Sequence, residues 1–271
     1  MRILHACTFV ATTALTVACG GGSDAKPDAP PIVIVDAPAP DAFEPPPPDA
    51  QIFDFSCMGN AAPTTAPDTV AIVGTVNDVN IISMSLPPVA DATVKAFKNG
   101  TPDAEIGTTT SDVAGDWNLA AVPTLAVPVD GYIKATKTGH RTVRVYPPSP
   151  ISTDIPQTPV LLFADGTFST IVGATGHTQN AANGTIGIAV LDCQNTPIGG
   201  AAISVKQNGV EIASGSNTFD AGQLQAGAFF VFDVPPGETV VGATYMGMDL
   251  RAHAVTVVAQ ETATTLVKPG F

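Results

Sequence analysis

From Thr69 to the C-terminus, turn signals recur at the spacing of short strands, and this restricts the chain to an all-β architecture. Val70-Ala71-Ile72-Val73-Gly74-Thr75-Val76 is β-branched, and Ala92, Val94 and Ala96 alternate with Thr93, Lys95 and Phe97. Asn99-Gly100 marks a tight turn. Asp112-Val113-Ala114-Gly115-Asp116 is a hairpin connection before Trp117, and Tyr132-Ile133-Lys134-Ala135 alternates again. A second stretch repeats the plan: Thr185 to Leu191, the turn Asn195-Thr196-Pro197-Ile198-Gly199-Gly200, Ala201 to Lys206, Ala228 to Val234 and Ala254 to Val258. Strands separated by such turns at intervals of roughly 8–12 residues predict a sandwich. No stretch carries a helical period.

The residues before Thr69 follow other rules. Met1-Arg2 is followed by Ile3 to Ala18 without a Lys, Arg, Asp or Glu. That is a charged start and an apolar run too short to span a bilayer comfortably, the layout of an export signal. Leu15-Thr16-Val17-Ala18-Cys19 then resembles the bacterial lipobox. The resemblance implies cleavage after residue 18, acylation of Cys19, and a membrane-anchored lipoprotein of the bacterial cell envelope. Several acyl chains anchor stably where one binds marginally. Gly20 is not the Asp associated with inner-membrane retention, so the resemblance points to the outer membrane, facing either the periplasm or the exterior. The ordinary alternative is a secreted chain cleaved near Ala18.

Gly20 to Asp68 holds eleven of the 25 prolines and eight acids against the single base Lys26. Such a segment cannot bury a core, so residues 19–68 are expected to be a disordered linker, with Pro45 to Pro48 in polyproline II. Ile32 to Val35 and Gln51 to Phe55 are apolar patches within it that could dock as edge strands. Residues 69–165 and 166–271 are expected to form two tandem sandwiches.

Charge and composition exclude several roles. The net charge is −13 with only 11 Lys and Arg, too little base to meet a phosphate backbone. Nucleic acid is therefore not an expected partner. Neither Cys-x-x-Cys nor His-x-x-x-His occurs, as a zinc site would want, and Gly-x-Ser-x-Gly is missing too. No catalytic residue, metal or cofactor is expected. Asp112 with Asp116, or Asp91 with Asp103, could offer loop oxygens to calcium, but Asp more commonly caps its own turn.

The two halves resemble carboxypeptidase regulatory-like domains, the seven-stranded transthyretin-like or Ig-like sandwich. The first half carries the resemblance in Gly74-Thr75-Val76, Pro88-Val89-Ala90-Asp91-Ala92-Thr93-Val94, Thr109 to Trp117, and Thr138-Gly139-His140, where His140 replaces the usual aromatic. The second half offers Gly187-Ile188-Ala189-Val190, Pro197 to Ile203 and Val234-Pro235-Pro236-Gly237, with a degenerate hairpin around Phe219-Asp220-Ala221-Gly222. The resemblance implies a fold and no reaction.

Two readings of function follow. The first is a non-catalytic module displayed on a tether for an unidentified protein partner. The alternative is carbohydrate binding, with Trp117 and Tyr132 as ligand-face aromatics; in this family the aromatic after the hairpin is more often core. Beyond Cys19, the exported chain keeps Cys57 and Cys193. In an oxidising compartment they either bridge, tying the linker's end to the second half, or stay separate as small hydrophobes.

Overall fold

The computed structural model describes residues 52–80, 85–222 and 225–271. Cys19, the export signal, the linker up to residue 51 and the patch Ile32–Val35 lie outside the described residues. The described fold is all-β with one short helix. Its strands are β1 (Thr69–Asp78), β2 (Thr93–Lys98), β3 (Ala104–Thr110), β4 (Asp116–Pro123), β5 (Gly131–Thr136), β6 (Val143–Tyr146) and β7 (Ile155–Leu162) in the first half. Helix α1 (Asp165–Ala174) follows. The second half holds β8 (Gly184–Val190), β9 (Ala202–Gln207), β10 (Val210–Glu211), β11 (Thr218–Asp220), β12 (Ala228–Val234), β13 (Gly237–Tyr245), β14 (Met248–Asp249), β15 (His253–Val257) and β16 (Thr262–Val267).

Both halves pair their strands in the same way. β1 runs antiparallel to β4 and parallel to β7, as β8 runs antiparallel to β12 and parallel to β16. β2 lies between β3 and β5, as β9 lies between β10 and β13. Each half thus closes its own two-layer sandwich. The sequence suggests separate modules divided at 165/166, whereas the structure joins them: β6 and β16 pair in parallel, fusing one sheet of each half into eight strands, β11-β12-β8-β16-β6-β5-β2-β3. α1 begins at the dividing point.

Alternation places the two cores on opposite faces of this long sheet. Val94, Ala96, Ile133, Ala135 and Val143 face the sheet β4-β1-β7, with Val70, Ile72 and Val76 across the layer. Ile186, Ile188, Val190 and Val231 face the other way, onto Val205, Val241 and Val255. Tyr132 and Tyr146 belong to that second core although they come from the first half. Successive strand residues point to opposite faces, so each half covers only its own end of the sheet, and only on one side. Two diagonal quarters are left without a second sheet.

α1 departs from the reading that no stretch carries a helical period. Only Phe168 and Val172 are buried along it, an i, i+4 pair too brief to show as a period. Gly166, Gly173, Ser169 and Thr170 are weak helix formers, and the two hydroxyls donate to carbonyls four residues back. The helix persists because Phe163 and Phe168 meet Phe230 and Phe232 edge-on at 5.9 and 6.3 Å.

Candidate functional site

The linker's expected end also shifts. Residues 53–58 are held on the second half. Phe53 and Phe55 flank Tyr245 at ring-centroid distances of 5.4 and 5.9 Å. The Asp54 N–H donates to Asp192 Oδ2 at 2.9 Å, and the Cys193 N–H donates to the Asp54 carbonyl at 2.9 Å. Cys57 is disulfide-bonded to Cys193 with Cα atoms 5.7 Å apart. Met58 makes a β-bridge to Gly270. Burial would push the Asp192 carboxyl up, but the N–H groups of Asp54, Thr196 and Gln194 outweigh it and hold the pKa below the ordinary range. The apolar spacing of Phe53 and Phe55 was visible in sequence; the receiving Tyr245 was not.

The two aromatics that the carbohydrate alternative would place on a ligand face are core residues. Trp117 is 2 % exposed and pairs across from Gly74, where a side chain would collide with its ring. Tyr132 is 3 % exposed, stacked on Phe97 at 5.2 Å and tilted against Tyr146 at 5.1 Å. They sit in different cores. A sugar platform needs adjacent, open ring faces, and these two residues do not provide one.

The turn acids cap turns. Asp112 Oδ1 accepts from the N–H groups of Ala114 and Asp116 at 2.8 and 2.9 Å. Asp103 accepts the Gly100 N–H and the Tyr132 hydroxyl. Among the described residues no three His, Cys, Asp or Glu side chains converge as a metal site would require.

One uncovered quarter, on the first half's outer face, is charged. Arg144 donates to Glu261 Oε2 at 2.5 Å and to the Tyr132 hydroxyl at 2.9 Å, and Lys134 Nζ donates to Glu261 Oε1 at 2.9 Å. Farther out, Lys95 pairs with Glu105 at 2.8 Å. Burial alone would lower the Arg144 pKa, but the Glu261 carboxylate raises it. Burial, reinforced by Asp103, pushes the Tyr132 phenol up.

The other quarter is an apolar cleft of about 530 Å³. Its floor is the outer face of β12, β8 and β16. Ala228, Ala189 and Leu266 lie in one row across these strands, and Phe230, Gly187 and Thr264 in the next. Its wall is the edge strand β7 through Ile155 and Leu161, with Pro147 and Pro148 at the rim. The described lining includes no Asp, Glu, Lys, Arg or His. The sequence reading missed this site, whose formation depends on the long-range β6–β16 pairing.

No protein-family model matches the chain, and no curated protein does. Among solved structures, the Bacillus anthracis TIE protein is similar at 13 % identity and TM-score 0.24; 73 % of this chain is covered, and the chain spans 33 % of that protein. The shaft pilin SpaA from Lactobacillus rhamnosus GG matches at 8 % identity and TM-score 0.25, over 75 % of this chain and 98 % of the pilin. A streptococcal ancillary pilin matches at 11 % identity and TM-score 0.23, over 74 % and 62 %. At this distance no function is carried over from them.

Proposed function

We propose that the chain is a non-catalytic lipoprotein of the bacterial cell envelope, presenting two fused regulatory-like sandwiches on an acidic, Pro-rich tether. The observation that carries this reading is the Leu15 to Cys19 pattern, which resembles a lipobox, followed directly by an acidic, Pro-rich stretch whose composition is too polar to supply a core of its own. The docked residues 53–58 support it, because they give the tether a defined attachment on the folded part. Gly74 packed under Trp117 supports the regulatory-like assignment of the first half. The membrane is engaged through acyl chains on Cys19, with the outer membrane as the destination and a protein as the partner. The carbohydrate alternative loses Trp117 and Tyr132 as a stacking platform, because both are core residues.

Metabolic labelling with a clickable palmitate tests the anchor. The native chain should be labelled and recovered with membranes, and Cys19→Ser should be unlabelled and soluble. Equal labelling of both, or of neither, overturns the reading.

A further inference from the structure

We propose that the apolar cleft binds an uncharged, linear aliphatic chain. This goes beyond the display role and does not depend on it, since the cleft is built entirely within the folded residues.

Three observations select the ligand. The first is volume: about 530 Å³ falls within the roughly 300–1,000 Å³ of small-molecule sites. The second is charge. In a chain of net charge −13, the described lining holds no ionisable acid, base or histidine, and its polar groups are amides and hydroxyls. A carboxylate, phosphate or ammonium placed there would lose water without gaining an opposite charge among the described residues. The third is the floor. Ala228, Ala189, Gly187 and Thr264 are small and adjacent across three strands, spaced about 4.8 Å apart. Phe230 and the Thr264 methyl close over Gly187, where a Cβ would lie 3.4 and 3.3 Å from them. Ala228 and Ala189, low beside Phe230 and Leu266, leave a furrow that can take a linear chain.

A peptide strand is the weaker occupant. The strand available for pairing is β7, and Pro156 and Pro159 interrupt it. Each proline removes an N–H from the ladder, as on edges protected against strand addition.

The test uses the full chain carrying Cys19→Ser, which dispenses with detergent. N-phenyl-1-naphthylamine is titrated by fluorescence and then displaced by 1-octanol, 1-decanol and 1-dodecanol. We expect one saturable site. Affinity should rise about fourfold per methylene, the Boltzmann factor of the usual transfer free energy, until the chain outgrows the cleft. Decanoate at neutral pH should compete at least tenfold less well than 1-decanol. Ala189→Phe should fill the floor and weaken the probe at least tenfold while the far-UV spectrum and Tm stay unchanged. Ala228→Leu is the second variant should the first perturb folding, and the chain-length series on native side chains decides without either. No saturable binding, a flat chain-length series, or equal competition by decanoate overturns the proposal. So does a dimer by sedimentation equilibrium that forms only when the probe is absent, because the occupant would then be a second copy.

Discussion

The two uncovered quarters of the long sheet have the same origin and opposite chemistry. Each is the outer face of one half's shared strands, only partly covered because the partner sheet lies on the other side. The first-half quarter is lined by Lys95, Lys134, Arg144, Glu105 and Glu261, all paired. The second-half quarter shows Ala189, Ala228, Phe230 and Leu266. A solvated sheet face normally alternates to polar residues, and the first quarter obeys this rule. The second does not, and a sheet face that stays apolar without cover is the mark of an interaction site.

The largest expected effect comes from opening the bridge that ties residues 53–58, just ahead of the first half, to the second half. Cys57–Cys193 closes a loop with a sequence separation of 136 residues. The chain-entropy account gives about 4–5 kcal/mol for a loop of this size. Cys57→Ser with Cys193→Ser should therefore lower Tm by roughly 10–15 °C for a unit this large. A fall below about 3 °C would mean that the β6–β16 pairing and the Phe53 and Phe55 contacts hold the halves without the bridge.

The covered side between the quarters holds a titration. Burial, followed by the nearby Arg251 charge and opposed by Asp130, lowers the His253 pKa to about 4. In the unfolded chain it would be about 6.5. The unfolded state then binds more protons between these values, so stability is full above pH 6.5 and is lost as pH falls through 4. The ceiling is about 3 kcal/mol at 1.36 kcal/mol per pKa unit. His253→Gln should flatten the stability profile between pH 6.5 and 4, measured by urea unfolding. An unchanged slope would assign acid sensitivity to other groups.

Much of this arrangement can be read from local pattern. The alternation of Ala92, Val94 and Ala96 against Thr93, Lys95 and Phe97 places three residues in the core and the others on the outer face. Gly187 shows where local pattern stops. In letters, Gly187-Ile188-Ala189-Val190 matches Gly74-Thr75-Val76, yet Gly74 lies under Trp117 among inward residues, and Gly187 looks outward into the cleft. A one-residue offset turns a strand position to the other face. The apolar Ala228 to Val234 run reads as buried on both sides. Val231 is inward, while Phe230 and Phe232 meet α1 and its entry through Phe163 and Phe168. The β6–β16 seam joins residues more than a hundred positions apart, and no window of sequence encodes it.

Glu261 sits where the charged quarter meets the seam, bonded to both Arg144 and Lys134, with side-chain exposures of 15 %, 11 % and 25 %. Removing one member of a fully buried pair costs about 3–5 kcal/mol. Partial solvent access reduces this, so Glu261→Gln should cost about 2 kcal/mol, read from urea unfolding at constant m-value. A neutral result would mean that Arg144 is satisfied by Tyr132 and solvent alone.

The smallest effect tests the comparison most directly. Lys95 and Glu105 lie on the same outer face, near the free edge at β3, with side-chain exposures of 39 % and 40 %. They are diagonal cross-strand neighbours: Lys95 pairs in register with Thr108 and Glu105 with Phe97, across a bulge after Ala96. Cross-strand charge pairs contribute at most a fraction of a kcal/mol to about 1 kcal/mol, and exposed ion pairs often nothing measurable. Lys95→Ala should therefore cost less than about 0.5 kcal/mol, and 0.5 M salt should erase the difference from the native chain. The mirrored change in the apolar quarter, Leu266→Lys, should leave stability nearly as intact while abolishing uptake of the naphthylamine probe. If Lys95→Ala instead costs more than about 1.5 kcal/mol, the charged quarter is not a solvated face. Something then covers it in solution, and the asymmetry between the quarters reflects two partners rather than one.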